Sequence, residues 1–184
     1  MRVISGILKG RRLVAPTGMA IRPTADRIKE SLFNILGGSV VAKRVLDLFA
    51  GTGALGIEAL SRGAACALFV DSSQAARSAI RRNIRELALD DRARVIHWDL
   101  RKNLDFLIGE TDAFDLVFLD PPYQTQAVAP VLTALAACRA LAPGARVIIE
   151  HSLREPVAQP ADTLVLVDQR RFGKTLVSFM DVML

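Results

Sequence analysis

The sequence has few cysteines and no long apolar run, and both absences limit what kind of protein this is. The two cysteines, Cys66 and Cys138, have no other cysteine and no histidine at metal-ligand spacing. We therefore expect no zinc site, no disulfide and no bound metal. Every apolar run ends well before the roughly 18 residues that a membrane span needs, and the stretch at 3–8 is too short and too polar for a signal sequence. We expect a cytoplasmic location with no membrane partner.

The sequence also lacks low-complexity tracts and the residues for a second large domain. No long run of Gly, Ser or Gln suggests disorder, and 51% hydrophobic with 23% charged residues is ordinary for a globular protein. At 184 residues the chain is about one domain long. We expect the whole chain to fold around one core, as a monomer.

Positive charge is concentrated at the start of the chain. Residues 1–43 hold eight Lys or Arg against two acidic residues, whereas the other 141 residues carry 16 basic and 17 acidic side chains. The net charge of +5 therefore arises entirely from the first quarter of the sequence. This asymmetry indicates a polyanionic partner. A solvated basic terminus that binds nothing would have the same composition.

From residue 44 onward, short β-branched runs alternate with helical patterns, which is typical of a parallel sheet with crossover helices. The predicted strands of this part are 44–49, 67–71, 93–97, 114–119 and 145–150. The predicted helices are 25–36, 54–62, 73–88 and 127–140. Two further β-rich runs, 163–170 and 174–182, predict an antiparallel hairpin. The fold class is therefore expected to be α/β, with a seven-stranded, mostly parallel, Rossmann-like sheet and a C-terminal antiparallel hairpin.

A glycine-rich turn follows the first predicted strand. Gly51, Gly53 and Gly56 satisfy the spacing G-x-G-x-x-G at the beginning of a helix, and Asp71 comes 20 residues after Gly51. Glycines allow a ligand to approach the backbone closely, and a carboxylate at the end of the second strand can accept both hydroxyls of a ribose. The pattern predicts a nucleotide-like ligand. The alternative is a tight turn that only packs the helix on the strand.

Neighbouring residues help to choose between a dinucleotide and S-adenosylmethionine. Asp47 puts an acidic group just before the loop, which disfavours a pyrophosphate and suits the cationic amino and sulfonium groups of S-adenosylmethionine. Asp99 is placed to accept a hydrogen bond from an adenine amino group, and Leu100 offers an apolar wall. Equally, Asp99 could be the N-cap of a helix at 101–108.

The strongest signal is the tetrapeptide Asp120-Pro121-Pro122-Tyr123, immediately after the fourth predicted strand. The carboxyl ends of central strands form the ligand crevice of an open α/β sheet, so this motif should face the glycine loop. Asp120 and the Pro121 carbonyl can accept the two hydrogens of a base amino group, and Tyr123 can stack on a flipped base. A surface turn with no function is the alternative.

These motifs together resemble the RsmD family. The resemblance runs nearly end to end. The segments that carry it are 1–6, 10–13, Arg22-Pro23-Thr24 with 30–34, Asp47–Gly63 and Asp120–Tyr123. RsmD enzymes are class I, Rossmann-like S-adenosylmethionine methyltransferases. The resemblance implies methylation of the exocyclic N2 of a guanine in 16S ribosomal RNA, guanine 966. It also implies that the substrate is a 30S particle or late precursor.

The motifs, the charge pattern and the resemblance together assign roles to residues. The expected cofactor-binding residues are Asp47, Phe49, Ala50, Gly51, Thr52, Gly53, Asp71, Ser72, Asp99 and Leu100. The expected catalytic residues are Asp120, Pro121 and Tyr123, and the expected substrate-binding residues are Pro122, Arg11, Arg12, Arg22, Arg170 and Arg171. Residues 1–24 are predicted to be a basic RNA-docking arm, and 25–184 the methyltransferase domain. Many relatives have Tyr-Gly in the last hairpin, where this chain has Phe172-Gly173 and therefore offers no tyrosine hydroxyl.

Three other functions remain open from the sequence. A DNA or RNA adenine-N6 methyltransferase shares the Asp-Pro-Pro-Tyr motif, but the DNA enzymes usually need a target-recognition domain for which this chain has no spare segment. A dinucleotide-dependent oxidoreductase is disfavoured by Asp47. A non-catalytic RNA-binding assembly factor would need no intact Asp120 motif. The arginines at 77, 81 and 85 are expected to form a solvated helix face, and His97 and His151 are expected to be structural.

Overall fold

A seven-stranded sheet forms the centre of the molecule in the computed structural model, which describes residues 1–16, 23–122, 126–155, 157 and 159–183. The strands are β1 (Arg44–Leu48), β2 (Cys66–Asp71), β3 (Ala93–His97), β4 (Phe114–Leu119), β5 (Leu141–Ser152), β6 (Leu164–Phe172) and β7 (Thr175–Val182). Their order is β3-β2-β1-β4-β5-β7-β6, with only β7 antiparallel to its neighbours. The predicted α/β fold class, with a mostly parallel sheet and a C-terminal antiparallel hairpin, is confirmed.

Four α-helices pack on this sheet. They are α1 (Pro23–Leu36), α2 (Ala54–Ser61), α3 (Gln74–Glu86) and α4 (Val128–Ala137). Ser73 caps α3 by accepting a hydrogen bond from the N–H of Ala76, as the sequence pattern of a helix start requires. Among the described residues, no helix has the length and apolar character needed to cross a bilayer.

Strand alternation divides the core into two layers, because successive side chains of a strand point to opposite faces. On the first face α1, α2 and α3 cover an apolar cluster that contains Val45, Phe69, Phe118 and Ile148. On the second face α4 covers a cluster that contains Leu46, Leu48, Val117 and Ile149. Successive residues of β1, β4 and β5 are therefore buried alternately on the two faces of the sheet. Because both faces are covered, the sequences of these strands are continuously apolar.

Some elements differ from the sequence prediction. Where a helix at 101–108 was one alternative, the chain makes a turn and then a short 3-10 helix, Asp105–Gly109. The reason is local, because the Asp99 carboxylate accepts the backbone N–H of Arg101 at 3.2 Å and closes a turn there. Helix α4 ends at Ala137, and β5 already begins at Leu141 rather than at 145. A shift of register between Phe114 and Leu116 of β4 accommodates the additional residues of β5.

The N-terminal segment, residues 1–16, packs against α2 and α3. Val3 and Leu13 are buried in the first cluster. The backbone N–H groups of Ile4 and Ser5 donate to the buried carboxylate of Glu58, and the N–H groups of Ile7 and Leu8 donate to Ser61. This segment is therefore part of the folded core, and any role in docking RNA must be performed by its exposed side chains.

Gly6 of the N-terminal segment lies against Ser61 of α2, and we expect Gly6→Ala to destabilise the protein. A Cβ at this position would lie 2.0 Å from the Ser61 carbonyl oxygen, and the φ of Gly6 is +81°. Both the clash with backbone and the left-handed conformation oppose a side chain, so the loss should be about 2 to 4 kcal/mol. Denaturant unfolding of the purified variant measures it.

Gly10 provides the matched control. It has nearly the same φ, +83°, but a Cβ there would meet nothing within 4 Å. Gly10→Ala should therefore cost only the conformational part, about 1 kcal/mol. Equal losses in the two variants would show that the contact of residue 6 with α2 is not close.

Candidate active site

A cleft of about 1130 Å³ opens at the carboxyl ends of the central strands. This is the position at which open α/β sheets bind ligands. Ten of the residues predicted from the sequence line it: Asp47, Phe49, Ala50, Gly51, Thr52, Asp71, Ser72, Asp120, Pro121 and Pro122. The fold therefore brings the glycine loop and the Asp-Pro-Pro motif to one cavity.

The glycine loop has the backbone strain expected at a ligand site. Phe49, which follows β1 directly, has a φ of 56°, a conformation that a bulky side chain seldom adopts. Gly51 also has a left-handed φ, and the loop closes through a hydrogen bond of 2.7 Å from the Gly53 N–H to the Ala50 carbonyl. Helix α2 starts immediately afterwards, so its first N–H groups lie next to the cleft.

Asp71 holds this loop against the end of β2. One carboxylate oxygen accepts the Gly51 N–H at 2.9 Å, and the other accepts the Ser73 N–H at 2.8 Å. Each carboxylate oxygen has a second lone pair, so these bonds leave acceptor capacity for the hydroxyls of a ribose. Asp71 is partly exposed in the cleft wall, as this role requires.

Asp47 is buried beneath α2. Its carboxyl accepts the N–H of Gly56 at 2.9 Å, and the side chain is 2% exposed. Burial raises the pKa of Asp47 to about 8, and the nearby Asp71 carboxylate acts in the same direction. Below about pH 8 this carboxyl is therefore largely protonated. The negative charge assumed in the sequence argument against a pyrophosphate is largely absent near neutral pH.

The raised pKa predicts how Asp47→Asn will change stability. The folded state holds its proton up to about pH 8, whereas the unfolded state loses it near pH 4. The wild type should therefore lose stability as pH rises through this window, by at most about 1.4 kcal/mol per pH unit. Asparagine has no such proton, so the stability of Asp47→Asn relative to wild type should increase from pH 5 to pH 8. Urea unfolding at both pH values measures the difference, and a constant difference would contradict the burial of a titrating carboxyl.

Asn83 of α3 connects the N-terminal segment to the glycine loop. Its side-chain oxygen accepts the Val14 N–H at 2.7 Å, and its amide nitrogen donates to the carbonyls of Val14 and Thr52, each at 3.0 Å. Asn83 is 1% exposed, and its bond to the Thr52 carbonyl is buried. Pro16 and Met1 of the same segment line the cleft. Sequence reasoning missed this role, because a lone asparagine in a helix gives no signal of long-range contacts.

Asp120 follows β4 and is held beside β1. Its backbone N–H lies 3.5 Å from the Leu48 carbonyl, at the point where β1 turns into the glycine loop. The Asp120 side chain is exposed to the cleft, whereas Pro121 is buried and Pro122 is exposed. The motif therefore presents its carboxylate and prolines to the same space as the glycine loop. Tyr123, the last residue of the motif, lies outside the described residues.

Several predicted residues do not line the cleft. Asp99 forms an ion pair with Arg101 at 2.9 Å, which lowers the pKa of Asp99, and it is Arg101 that reaches the cleft. Leu100 is buried in the second cluster. Gly53 shapes the loop without lining the cavity. A direct contact of Asp99 or Leu100 with the cofactor stays a prediction.

Among the basic residues predicted to bind RNA, the four that the structure describes lie outside the cleft: Arg11, Arg12, Arg170 and Arg171. Arg12 is exposed, and the guanidinium of Arg11 donates to the Glu86 carbonyl at the end of α3. On the hairpin, Arg170 pairs with Asp168 at 3.0 Å, and Arg171 donates to the Gly173 carbonyl. Arg22 lies outside the described residues.

Several residues that the sequence had not assigned to the site also line the cleft, among them Lys29 of α1, Glu150 of β5, Phe172 and Lys174. Lys29 is 3% exposed and donates to the Arg2 carbonyl at 2.7 Å, and burial lowers its pKa despite the nearby Glu58. Glu150 follows an apolar strand run in the same way as Asp120 follows β4, and this repeated pattern could have identified it.

A comparison with known protein families identifies the chain. The family model described as "Conserved hypothetical protein 95" matches residues 1–181. The chain belongs to this family, the RsmD family. Among RsmD relatives, the Haemophilus influenzae protein named ribosomal RNA small subunit methyltransferase D is 33% identical, over 92% of this chain and 88% of its own length. YlbH of Bacillus subtilis is 38% identical, over 97% of both chains.

Solved structures agree with membership of the RsmD family. The structure of yhhF from Escherichia coli superposes with a TM-score of 0.87 at 31% identity, covering 100% of this chain and 98% of that one. At 16% identity the likeness to SMU.776, which was solved in complex with SAH, shows the fold alone. Its TM-score is 0.69, over 88% of this chain and 50% of that one.

Proposed function

We propose that this chain transfers a methyl group from S-adenosylmethionine to the exocyclic N2 of a guanine in 16S ribosomal RNA. The observation that carries the proposal is the meeting of Asp120-Pro121-Pro122 and the glycine loop in one cleft. The glycine loop suits a nucleoside cofactor, and the Asp-Pro-Pro segment suits a planar base with an amino group. A relative at 33% identity is named ribosomal RNA small subunit methyltransferase D, which supports the RNA substrate.

The residues of the cleft fit S-adenosylmethionine. When bound, this cofactor supplies an electrophilic methyl group on a sulfonium. The Asp71 carboxylate has acceptor capacity for the ribose hydroxyls, and the left-handed backbone at Gly51 leaves the loop open to close approach. Asp47, beneath the loop, can gain negative charge next to a cation by releasing its proton.

Asp120 and Pro121 prepare the amino group of the base. The lone pair of a base amino group is delocalised into the ring, so it attacks a methyl group only when it is drawn out of the ring plane. The Asp120 carboxylate and the Pro121 carbonyl can accept the two amino hydrogens, and the fixed φ of the prolines directs these acceptors. We expect Tyr123 to stack on the flipped base and so hold it in line with the methyl group.

The proposal includes an RNA partner and its setting. We propose that the substrate is 16S ribosomal RNA within a 30S particle or late precursor, and that the chain acts as a monomer in the cytoplasm. Exposed side chains supply positive charge for RNA phosphates. They are Arg11 and Arg12 of the N-terminal segment and Arg170 and Arg171 of the hairpin. Arg22 belongs to the same proposed set.

Methyl-labelled S-adenosylmethionine tests the proposal directly. The purified chain is incubated with 30S particles, free 16S RNA, 23S RNA or duplex DNA, and the labelled base is mapped. We expect label on N2 of a single guanine of 16S RNA, with the 30S particle as the best substrate. Label on adenine N6 would indicate the rival methyltransferase. Cofactor binding without transfer to any of the four would indicate a non-catalytic assembly factor.

A further inference from the structure

Glu150 lies next to Asp120, on the neighbouring strand, at the carboxyl ends of the parallel strands. Leu119 of β4 pairs with Ile149 of β5, so the next residues of the two parallel strands are Asp120 and Glu150. Phe118 and Ile148, two positions earlier, both lie in the first apolar cluster. Because side chains alternate, Asp120 and Glu150 follow them on the same face, about 5 Å apart at the backbone. Both line the cleft.

The neighbouring strands hold the backbone of Glu150 in place. β5 pairs with β4 on one side and with β7 on the other, and Glu150 itself is in register with Val177 of β7. The side chain is only partly exposed, in the cleft wall rather than on the outer surface. A central strand paired on both sides is a rigid support, so Glu150 can hold a base with little freedom to move.

The chemistry of guanine matches two neighbouring carboxylates. Its Watson–Crick edge presents the N1–H and the N2 amino group side by side, and both donate hydrogen bonds. Adenine has an acceptor at N1 instead. Enzymes that flip a base read this edge by hydrogen bonds, and an ionised carboxylate only accepts them. One carboxylate can take an amino hydrogen while its neighbour takes the N1 hydrogen.

We propose that Glu150 is the specificity-determining residue that selects guanine, by accepting the hydrogen of N1 while Asp120 accepts from N2. This inference rests on the proposed function, because it assigns the second acceptor of the same base site. A base without the N1 hydrogen would face the Glu150 carboxylate with a lone pair, which a site built for a donor rejects strongly. Because Glu150 recognises the base, its substitution should change the preference between bases as well as lower the rate of methyl transfer.

The test compares guanine with 2-aminopurine at the target position of 16S RNA in reconstituted 30S particles. 2-Aminopurine keeps the amino group at C2 but has an acceptor at N1. We expect wild-type protein to prefer guanine by about 10²-fold or more in kcat/KM. In Glu150→Gln, the new amide can donate to the N1 of 2-aminopurine. This preference should therefore fall at least about tenfold, with the affinity for S-adenosylmethionine unchanged.

Glu155→Gln is the matched control, because Glu155 follows the same strand but does not line the cleft. It should keep the wild-type preference. An unchanged preference in Glu150→Gln, with guanine still methylated, would overturn the role of Glu150 and leave the proposed function intact. Absence of guanine methylation by the wild type would instead overturn the proposed function.

A second variant keeps the proposal testable if Glu150→Gln does not fold. Glu150→Asp retains an acceptor but shortens its reach by one methylene group. It should lower kcat/KM for guanine by about tenfold while keeping the preference over 2-aminopurine. Wild-type kinetics in Glu150→Asp would show that the carboxylate does not touch the base, and would overturn the inference.

Discussion

Asp120→Ala is expected to lower kcat for methyl transfer by about 10²-fold or more while leaving the binding of S-adenosylmethionine nearly intact. The carboxylate is exposed to the cleft directly after β4. In the proposed reaction it accepts a hydrogen bond from the amino group on which positive charge develops. Its removal takes away an interaction that is strongest in the transition state. Single-turnover transfer to 30S particles and calorimetric titration of the cofactor measure the two effects separately.

Asp120→Asn and Asp115→Ala complete this experiment. Asn keeps one acceptor oxygen but not the charge, so its rate should lie between those of wild type and Asp120→Ala. Asp115 is on the same strand but pairs with Lys43 at the opposite end, so Asp115→Ala should keep the wild-type kcat. Full turnover by Asp120→Ala would exclude this motif as the site of base activation.

Neutralising Lys9, Arg11 and Arg12 together is expected to weaken binding of the RNA substrate on the order of 10²-fold near 0.1 M salt. The three side chains are exposed on the N-terminal segment, whose backbone is held by α2 and α3. Each lost phosphate contact should flatten the slope of log K against log salt by about 0.7 to 0.9, so three contacts change it by about two or more. Equilibrium binding of 30S particles over a range of salt concentrations gives the slope.

The arginines of α3 provide a control of equal charge. Neutralising Arg77, Arg81 and Arg85 also removes three positive charges, from a face that we expect not to bind RNA, so the slope should stay as in wild type. Arg81 and Arg85 are exposed as expected, whereas Arg77 is half-buried rather than solvated. Affinity for S-adenosylmethionine should be unchanged in both triple variants. If the N-terminal variant keeps the wild-type slope and affinity, the segment only stabilises the fold. The RNA would then be held by Arg170, Arg171 and Lys174 of the hairpin.

The N-terminal segment illustrates how structure changes the meaning of a sequence feature. Composition predicted a basic arm at 1–24, and the charge is indeed on exposed side chains of its described part. Its backbone, however, is bound to the buried Glu58 and Asn83, and Met1 and Pro16 line the cleft. The side chain of Asn83 thus joins this segment to the glycine loop, because it also donates to the Thr52 carbonyl.

Local patterns in the sequence determined the fold class and the two main motifs of the site. Strands and helices differ in the period of their apolar residues, and glycine and proline mark the turns between them, so the elements could be identified from neighbours in the chain. The carboxyl ends of parallel strands gather at one edge. For this reason the glycine loop and the motif at Asp120 could be assigned to one cleft without coordinates.

Only the tertiary structure decided which distant groups meet. Three features of the site depend on residues far apart in the chain. They are the burial that raises the pKa of Asp47, the three hydrogen bonds of Asn83, and the adjacent positions of Asp120 and Glu150. Local propensity carries no information about such contacts. The helix at 101–108, which was one of two interpretations of Asp99, does not form for a related reason, since one side-chain hydrogen bond to the Arg101 N–H outweighs a weak helical preference. Elements follow from local periodicity, whereas the charge state and partners of a side chain follow from long-range packing.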